Sequence, residues 1–400
     1  MTTDNELFDV VVVGGGPSGA TAANDLAQAG RKVLLLDRAG RIKPCGGAIP
    51  PRLIRDFDIP DHLLVARVNS ARMVSPSDKK VDMPIDGGFV GMVDREIFDE
   101  WLRMRAVQAG AERRTGFFKR FDRDANNVTT VHYETREPDG SMRDCLVRTR
   151  AMIGADGALS AVARQCLPGA DRLPFVFAYH EIVRSPDIAV TSFDGTRCDV
   201  YYRGTVSPDF YGWIFPHGDT VSVGTGSARK GFSLKDSVSE LRGAAGLGRS
   251  ETIRREGAPI PLHPLPRWDD GHSVLLAGDA AGVVAPASGE GIYYAMIGGR
   301  LAAEAMELFL QTGKAAALRT ARKRFMKMHG IVFWILGVMQ WYWYSNDRRR
   351  ERFVSICRDR DVQKLTWDAY MNKELVRAKP IAHVRIFFKN LAHMAGLASA

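Results

Sequence analysis

The feature that most constrains the fold is a run of β-branched residues that leads directly into a glycine-rich turn. Four consecutive valines at 10–13 precede the pattern Gly14-x-Gly16-x-x-Gly19. A continuous apolar run is typical of a parallel strand that is buried on both faces. We predict a tight turn at Gly14, a close approach of the backbone at Gly16 to a pyrophosphate, and close packing of the next helix at Gly19.

The following residues complete a β-α-β unit. An alanine-rich helix is predicted over 21–29, and a second apolar strand over 32–37 ends at Asp37. Unpaired amides at the helix N-terminus favour phosphate groups. An acidic residue about twenty positions after the glycines accepts hydrogen bonds from ribose hydroxyls. The unit predicts a dinucleotide site, and because the Asp37 carboxylate would repel a 2′-phosphate, FAD or NAD is expected there.

Length and charge narrow the class of protein. The chain has 400 residues, of which 45% are apolar and 25% charged, as expected for one large or two ordinary globular domains. The net charge of +9 is uneven, since residues 301–400 hold 18 Lys and Arg against 8 Asp and Glu. This basic quarter predicts an anionic partner, either nucleic acid or an anionic membrane surface.

The cysteines and the start of the chain bear on its cellular location. Five cysteines without CxxC spacing favour a reducing cytosol and no structural zinc site. The polar, acidic start at 1–9 is not a signal peptide.

A loop and a helix start carry further candidate chemistry. Two prolines and two glycines predict a loop over 38–51, which includes Lys-Pro-Cys-Gly-Gly-Ala-Ile-Pro at 43–50. Cys45 in this loop is either a buried packing residue or a thiol beside a cofactor ring. A helix is predicted over 94–109, and Arg95 lies in its first turn. Because a cation there opposes the helix dipole, we expect a ligand or an ion pair to hold Arg95.

Two more strand-to-turn segments occur later in the chain. Both end in Gly and Asp, at Gly154-Ala-Asp156-Gly157 and at Gly278-Asp279. Residues 127–150 predict a β-meander, 173–260 predict further strands, and 292–310 predict a long helix. The strand-like stretch contains Tyr-Gly-Trp-Ile-Phe-Pro at 211–216, whose alternate aromatic residues belong either to the core or to an apolar cavity.

The C-terminal part is apolar and basic. Residues 331–344 contain one polar side chain and are too few to span a bilayer, and three arginines follow at 348–350. Apolar residues between 381 and 395 recur at helical spacing beside basic ones, which predicts a basic amphipathic helix. These segments either pack on the body or contact a membrane, and Trp and Tyr beside Arg favour the membrane. No nucleic-acid-binding module is recognisable.

Taken together, the three glycine turns resemble the FAD-binding fold of the para-hydroxybenzoate hydroxylase superfamily. Within it, the segments 43–50 and 211–216 resemble geranylgeranyl reductases, in particular those of chlorophyll and bacteriochlorophyll synthesis, over essentially the whole chain. The resemblance implies an α/β (α+β) protein: a Rossmann-like FAD-binding domain, an antiparallel β-sheet substrate domain and a helical C-terminal extension. The implied boundaries are 1–65, 91–165 and 255–312 for FAD binding, 66–90 and 166–254 for the substrate domain, and 313–400 for the extension.

This resemblance also implies a reaction. Such an enzyme saturates three C=C bonds of a geranylgeranyl group to give phytyl, on a tetrapyrrole or on a diphosphate, with NADPH or reduced ferredoxin as electron donor and no metal. It implies a cytoplasmic protein on the photosynthetic membrane, with contacts to chlorophyll synthase-type enzymes. The alternatives are a flavin monooxygenase or halogenase on the same fold, a prenyl reductase acting on lipids or quinones, and a flavoprotein that only binds a membrane or nucleic acid.

Candidate site residues follow from the motifs and the resemblance. We expect Cys45 to be the proton donor, because an ordinary thiol is protonated near neutrality. The aromatic segment is expected to line an isoprenoid tunnel through Tyr211, Trp213, Phe215 and Pro216. The expected FAD-binding residues are Gly14, Gly16, Pro17, Ser18, Gly19, Asp37, Arg38, Cys45, Gly46, Gly47, Ala48, Arg95, Asp156, Gly157, Gly278, Asp279, Gly289, Gly291 and Ile292.

Overall fold

A computed structural model describes residues 6–38, 42–43, 45–186 and 193–373. The chain divides into two compact units. The first comprises residues 1–42, 96–175 and 259–334, and the second comprises 43–95, 176–258 and 335–400. The domain boundaries implied by the resemblance concern ligand binding and stay a prediction.

The described residues form the following α-helices: α1 Pro17–Gln28, α2 Pro51–Asp56, α3 Arg95–Gln108, α4 Ala161–Cys166, α5 Leu234–Ala244, α6 Ile292–Thr312, α7 Arg319–Trp343, α8 Asp347–Ile356 and α9 Arg360–Asn372. They also form the strands β1 Leu7–Val13, β2 Val33–Asp37, β3 Ala48–Ile49, β4 Leu64–Val68, β5 Ser70–Val74, β6 Lys80–Pro84, β7 Val90–Val93, β8 Glu112–Thr115, β9 Phe117–Arg123, β10 Thr129–Arg136, β11 Met142–Gly154, β12 Phe175–Arg184, β13 Arg197–Tyr201, β14 Gly212–His217, β15 Thr220–Ser227, β16 Thr252–Pro261 and β17 Val274–Leu276.

The first unit is built on a seven-stranded mixed sheet. Its order is β8-β2-β1-β11-β10-β9, and β17 also pairs with β11. Strands β2, β1, β11 and β17 are parallel where they pair, and β9, β10 and the first half of β11 form an antiparallel meander. The valines of β1 are almost completely buried, as predicted for a strand covered on both faces. Helices α1 and α6 pack against each other beside this sheet.

The second unit contains two sheets. Seven strands follow the order β16-β12-β15-β14-β13-β5-β6, and a smaller sheet follows β3-β7-β4. Helix α5 packs on the larger sheet, where it shares a core with Val183, Val221, Val223 and Ile214. Because side chains alternate across a strand, Trp213 and Phe215 lie on the opposite face of β14 from Ile214.

Two local expectations are corrected and others are confirmed. Helix α1 begins at Pro17 rather than at residue 21, because proline at the first helical position needs no N–H partner. The stretch 173–260 is not strand throughout, since α5 interrupts it. The meander at 127–150 and the long helix that starts at Ile292 and ends before Gly313 are confirmed.

The C-terminal part of the chain is described up to residue 373. The apolar stretch at 331–344 lies in α7 as far as Trp343, and Tyr344 follows the end of the helix. The amphipathic helix predicted between 381 and 395 lies outside the described residues. Among the helices that the structure describes, none combines the length and the apolar character needed to cross a bilayer.

Candidate active site

In the first unit, the glycine turn after β1 has the tight geometry that the motif predicts. Gly14 has φ +104°, a backbone conformation that side chains disfavour, and a Cβ there would overlap the carbonyl group of Ala155. A Cβ on Gly19 would overlap the Gly14 carbonyl oxygen. Both glycines are therefore required by packing between the turn, α1 and β11.

Gly16 differs, because an added Cβ would have no atom within 4 Å. It is the N-cap of α1 and no side chain caps the helix there. Beside it, the Ser18 hydroxyl is buried and has no hydrogen-bond partner among the described residues. An open approach to free helix amides and an orphaned buried hydroxyl fit a phosphate-bearing cofactor at this end of α1.

Asp37, at the end of β2, is held by a residue that the sequence reasoning missed. Arg103 of α3 lies with its Nη1 3.4 Å from Asp37 Oδ2 and donates from Nη1 to the Gly15 carbonyl oxygen at 3.2 Å. Arg103 also contacts Glu100, which in turn pairs with Arg113. The Asp37 carboxylate is thus fixed beside the glycine turn, whereas Arg38 is exposed at the end of the strand.

The third turn of the first unit is also close to α1. Gly278 has φ +63°, and a Cβ there would lie 2.7 Å from Ser18 Cβ. Asp279 is 7% exposed, and a Cβ on Gly291, the N-cap of α6, would lie 3.9 Å from its Oδ1. The turn therefore brings Ser18, Gly278, Asp279 and the N-terminus of α6 at Ile292 together. Gly289, with φ +65°, shapes the approach to that helix.

Asp156 is held by residues that follow it directly in the chain. Its carboxylate accepts hydrogen bonds from Ser160 Oγ at 2.5 Å and from the Ala161 amide at 2.7 Å. Burial raises the pKa of Asp156, and these hydrogen bonds oppose that rise. The carboxylate caps the start of α4, so its contact with a cofactor stays a prediction, as does that of Gly157.

In the second unit, the loop before β3 packs tightly against β14. The Gly47 amide donates to Cys45 Sγ at 3.4 Å. A Cβ on Gly46 would lie 2.8 Å from the Phe215 ring, and one on Gly47, where φ is +71°, would lie 2.5 Å from His217 Nε2. Ala48 then pairs with β7. The two glycines are thus needed for the loop to lie on the aromatic strand.

His217 packs against Gly47 in this loop, and the sequence analysis did not identify it as a site residue. Its Nδ1 lies 3.2 Å from the Phe215 carbonyl oxygen, so Nδ1–H donates and Nε2 keeps its lone pair. Burial lowers the pKa of His217 to about 4. The imidazole is therefore neutral at physiological pH and sits against the glycine pair beside Cys45.

Arg95 and the aromatic segment complete the candidate residues of the second unit. Arg95 is the first residue of α3 and is 6% exposed. The rings of Tyr211 and Trp213 are 6.0 Å apart, and those of Trp213 and Phe215 are 6.3 Å apart. Trp213 and Phe215 share one face of β14 as predicted, whereas Tyr211 directly precedes the strand. The contact of the three rings with substrate, and that of the buried Pro216, stays a prediction.

Comparison with known proteins identifies the family. Residues 9–57 match the FAD dependent oxidoreductase family model. Geranylgeranyl diphosphate reductase of Rhodobacter capsulatus is 59% identical over 98% of both chains. The chain belongs to the geranylgeranyl diphosphate reductase family. The chloroplastic geranylgeranyl diphosphate reductase of Oryza sativa is 37% identical over 94% of this chain and 84% of that protein.

The family assignment confirms the resemblance found in the sequence and the class of FAD-dependent oxidoreductase. The crystal structure of a geranylgeranyl bacteriochlorophyll reductase-like protein from Thermoplasma acidophilum matches with a TM-score of 0.78 at 22% identity, over 94% of this chain and 99% of that chain. This likeness confirms the predicted fold class.

Proposed function

We propose that this protein reduces the C=C bonds of a geranylgeranyl group to give phytyl, saturating three of the four. The observation that carries the proposal is the 59% identity, over 98% of both chains, with a geranylgeranyl diphosphate reductase. Each reduction adds one proton and one hydride equivalent across an alkene. Its substrate is the group carried on a tetrapyrrole or on diphosphate, and its electrons come from NADPH or reduced ferredoxin.

The residues of the first unit fit FAD. The open backbone at Gly16 and the unpartnered Ser18 hydroxyl would face the pyrophosphate, and Asp37 would accept from a ribose hydroxyl. Asp279 and the N-terminus of α6 would hold the part of FAD that lies beyond its pyrophosphate and ribose. FAD supplies the hydride equivalent when it is bound and reduced.

Protonation is the step that this chain's own residues must provide. An isolated trisubstituted alkene is not polarised, so a proton has to reach the less substituted carbon as positive charge develops at the other. Cys45 is the proposed donor. Its Sγ accepts from the Gly47 amide, which fixes the sulfur within the loop, and the neutral His217 imidazole lies on the other side of Gly47.

An anionic membrane surface is the proposed location of the substrate. Helix α7 exposes apolar side chains along one face, with Ile331 54%, Trp334 69%, Val338 43% and Trp341 76% exposed. Their spacing of three or four residues places them on one helix side. Arg349 lies over the Tyr342 ring at 4.2 Å. Exposed tryptophans with nearby arginines suit the interfacial region of a bilayer with anionic headgroups.

The function is tested by anaerobic incubation with NADPH and, in separate reactions, geranylgeranylated bacteriochlorophyll or geranylgeranyl diphosphate. Products that gain two, four and six hydrogens, read by mass spectrometry, are expected with one of the two substrates. No change in either prenyl substrate, together with substrate-dependent O₂ uptake with an aromatic compound in a parallel aerobic assay, would instead support a monooxygenase. Reduction only of an archaeal-type lipid or a quinone would support another prenyl reductase.

The membrane contact is tested separately by sedimentation with vesicles of phosphatidylglycerol and phosphatidylcholine. Trp334→Ser combined with Trp341→Ser should lower the bound fraction at least fivefold. Leu159→Ser is the matched control, because Leu159 is an apolar side chain that is 58% exposed elsewhere in the chain. Equal binding of the double variant and the control would exclude this face of α7.

A further inference from the structure

Trp213 of the larger sheet in the second unit packs over Gly224 of the neighbouring strand. In the register of this sheet, His180 of β12 and Trp213 of β14 are both opposite Gly224 of β15. A Cβ on Gly224 would lie 2.5 Å from Trp213 Cε2 and 2.6 Å from His180 Cβ. The missing side chain at Gly224 therefore creates the space that the indole ring occupies.

The indole is also held by a buried chain of hydrogen bonds. Trp213 Nε1 donates to Ser222 Oγ at 3.1 Å. Ser222 Oγ and His180 Nδ1 are 3.0 Å apart, and His180 Nε2 lies 2.8 Å from Glu256 Oε2. Ser222 is 0% exposed, His180 2% and Trp213 5%. These hydrogen bonds hold the indole N–H toward Ser222, while the ring packs over Gly224.

The series of polar contacts continues from Glu256 to the residue before α3. Arg254 lies 3.5 Å from Glu256 Oε1 and 3.4 Å from Asp94 Oδ2, and Asp94 directly precedes Arg95. The Arg254 guanidinium thus lies between the carboxylates of Glu256 and Asp94 inside the second unit. A carboxylate that accepts from His180 Nε2 leaves Nδ1 as the acceptor of the Ser222 hydroxyl proton, which in turn leaves Ser222 Oγ free to accept from Trp213.

Filling space does not require such an arrangement. Phenylalanine or leucine would occupy this sheet face without burying an indole N–H, a hydroxyl, an imidazole and a carboxylate, and each buried polar group costs free energy unless it is paired. Fully paired buried networks do select one orientation of their members. The feature that this network selects is the plane of the Trp213 ring.

We propose that Ser222, His180 and Glu256 are positioning residues that set the indole plane of Trp213 as a wall of the isoprenoid site. The inference rests on the proposed function, in which positive charge develops at a tertiary carbon. The face of tryptophan is the most favourable aromatic surface for a cation, and its effect depends on orientation. A tilted indole would also change which part of the prenyl chain is held for the next reduction.

A double-mutant cycle tests this inference on the flavin-loaded full-length protein. Ser222→Ala should lower kcat/KM for the geranylgeranyl substrate about tenfold and raise the share of products that retain one or two extra double bonds at equal conversion. In a Trp213→Phe background, the same change should alter kcat/KM less than twofold, because no indole N–H remains to be held. Ser222→Thr, which keeps the hydroxyl, should restore most of the activity and the product ratio.

Ser207→Ala is the matched control. Ser207 is also 0% exposed, and its hydroxyl accepts from the Phe210 amide and donates to the Gly226 carbonyl, so neither of these two hydrogen bonds holds the Trp213 indole N–H. It should leave the product ratio unchanged at the same flavin content. If Ser222→Ala does not load flavin, His180→Gln takes its place with the same expectations.

The outcomes separate the inference from the function on which it rests. A wild-type protein that reduces neither prenyl substrate with NADPH or with reduced ferredoxin contradicts the proposed function. A wild-type protein that reduces one of them, with equal effects of Ser222→Ala in the presence and absence of Trp213, refutes the positioning role. A product ratio of Ser222→Ala that matches the ratio of Ser207→Ala refutes it as well.

Discussion

Replacing Gly16 by alanine separates the role of the glycine turn in cofactor binding from its role in folding. Gly16 has φ −72°, which alanine adopts readily, and an added Cβ meets no atom within 4 Å. Reduced freedom of the unfolded chain favours alanine by about 0.4–1 kcal/mol, and the poorer N-cap costs a similar amount. The free energy of unfolding of the flavin-free protein should therefore change by less than about 0.5 kcal/mol.

The same Cβ would stand where the pyrophosphate is expected to approach the α1 amides, so FAD affinity should fall about 100-fold. At an FAD concentration 100 times the wild-type Kd, binding stabilises the wild type by about 2.7 kcal/mol. A variant with 100-fold weaker binding then gains only about 0.4 kcal/mol. The two proteins should thus melt together without FAD and separate clearly with it.

The assay is thermal melting of flavin-stripped protein with and without FAD, together with a fluorescence titration that gives Kd. Gly19→Ala is the comparison, because its Cβ would overlap the Gly14 carbonyl oxygen and should lower the flavin-free melting temperature as well. Unchanged FAD affinity in Gly16→Ala would refute the placement of the pyrophosphate at this turn.

Four further predictions concern the other candidate residues. Arg103→Gln should weaken FAD binding three- to tenfold in the same titration, because the Asp37 carboxylate loses its partner; unchanged affinity would mean that Asp37 does not need it. In a denaturant titration, Gly47→Ala should lower the free energy of unfolding by about 3 kcal/mol, because its φ is +71° and its Cβ would meet His217 Nε2. The control Gly30→Ala, with φ +80° but open space around the added Cβ, should lower it by about 1–2 kcal/mol. Burial lowers the pKa of His217 to about 4, so below the ordinary histidine pKa of about 6.5 the unfolded chain gains a proton that the folded protein does not. The free energy of unfolding should therefore fall between pH 6.5 and 4, by on the order of 3 kcal/mol in total. A wild-type pH dependence in His217→Asn would contradict this. Cys45→Ser should reduce turnover at least 100-fold with flavin content unchanged, since general acid catalysis contributes about that much, and full turnover would remove the thiol as the proton donor.

The sequence predicted the parts of the fold that have strong local patterns. The valine run, the glycine turn and the helix that ends at Gly313 were placed correctly, because each depends on residues adjacent in the chain. Helix α5 was missed although a signal was present: Ser233 caps it by accepting from the Asp236 amide, and Val238 and Leu241 follow at helical spacing. The aromatic and proline-rich surroundings concealed that short pattern.

The contacts missed in the candidate site join residues far apart in the chain. Arg103 reaches Asp37 across 66 positions, and Glu256 reaches His180 across 76. No single-sequence periodicity encodes such pairs, since they depend on which strands become neighbours. Asp156 is a case in which the missed contacts are local. Its Gly-Asp-Gly context was recognised from the sequence, but the hydrogen bonds that its carboxylate accepts from Ser160 and Ala161 depend on the geometry of the turn, which the residue types alone do not give.

The long strand β11 has a consequence for synthesis of the protein on the ribosome. Its last residues are the parallel neighbours of β1, with Val10 opposite Ala151 and Val13 opposite Gly154. At about 5–20 residues per second, roughly 7–28 seconds separate the emergence of the two strands. During that interval the valine strand has an unpaired apolar edge, which is a template for aggregation. Pairing with β2 covers only the other edge of β1, so this apolar edge has no partner strand until the meander has been made.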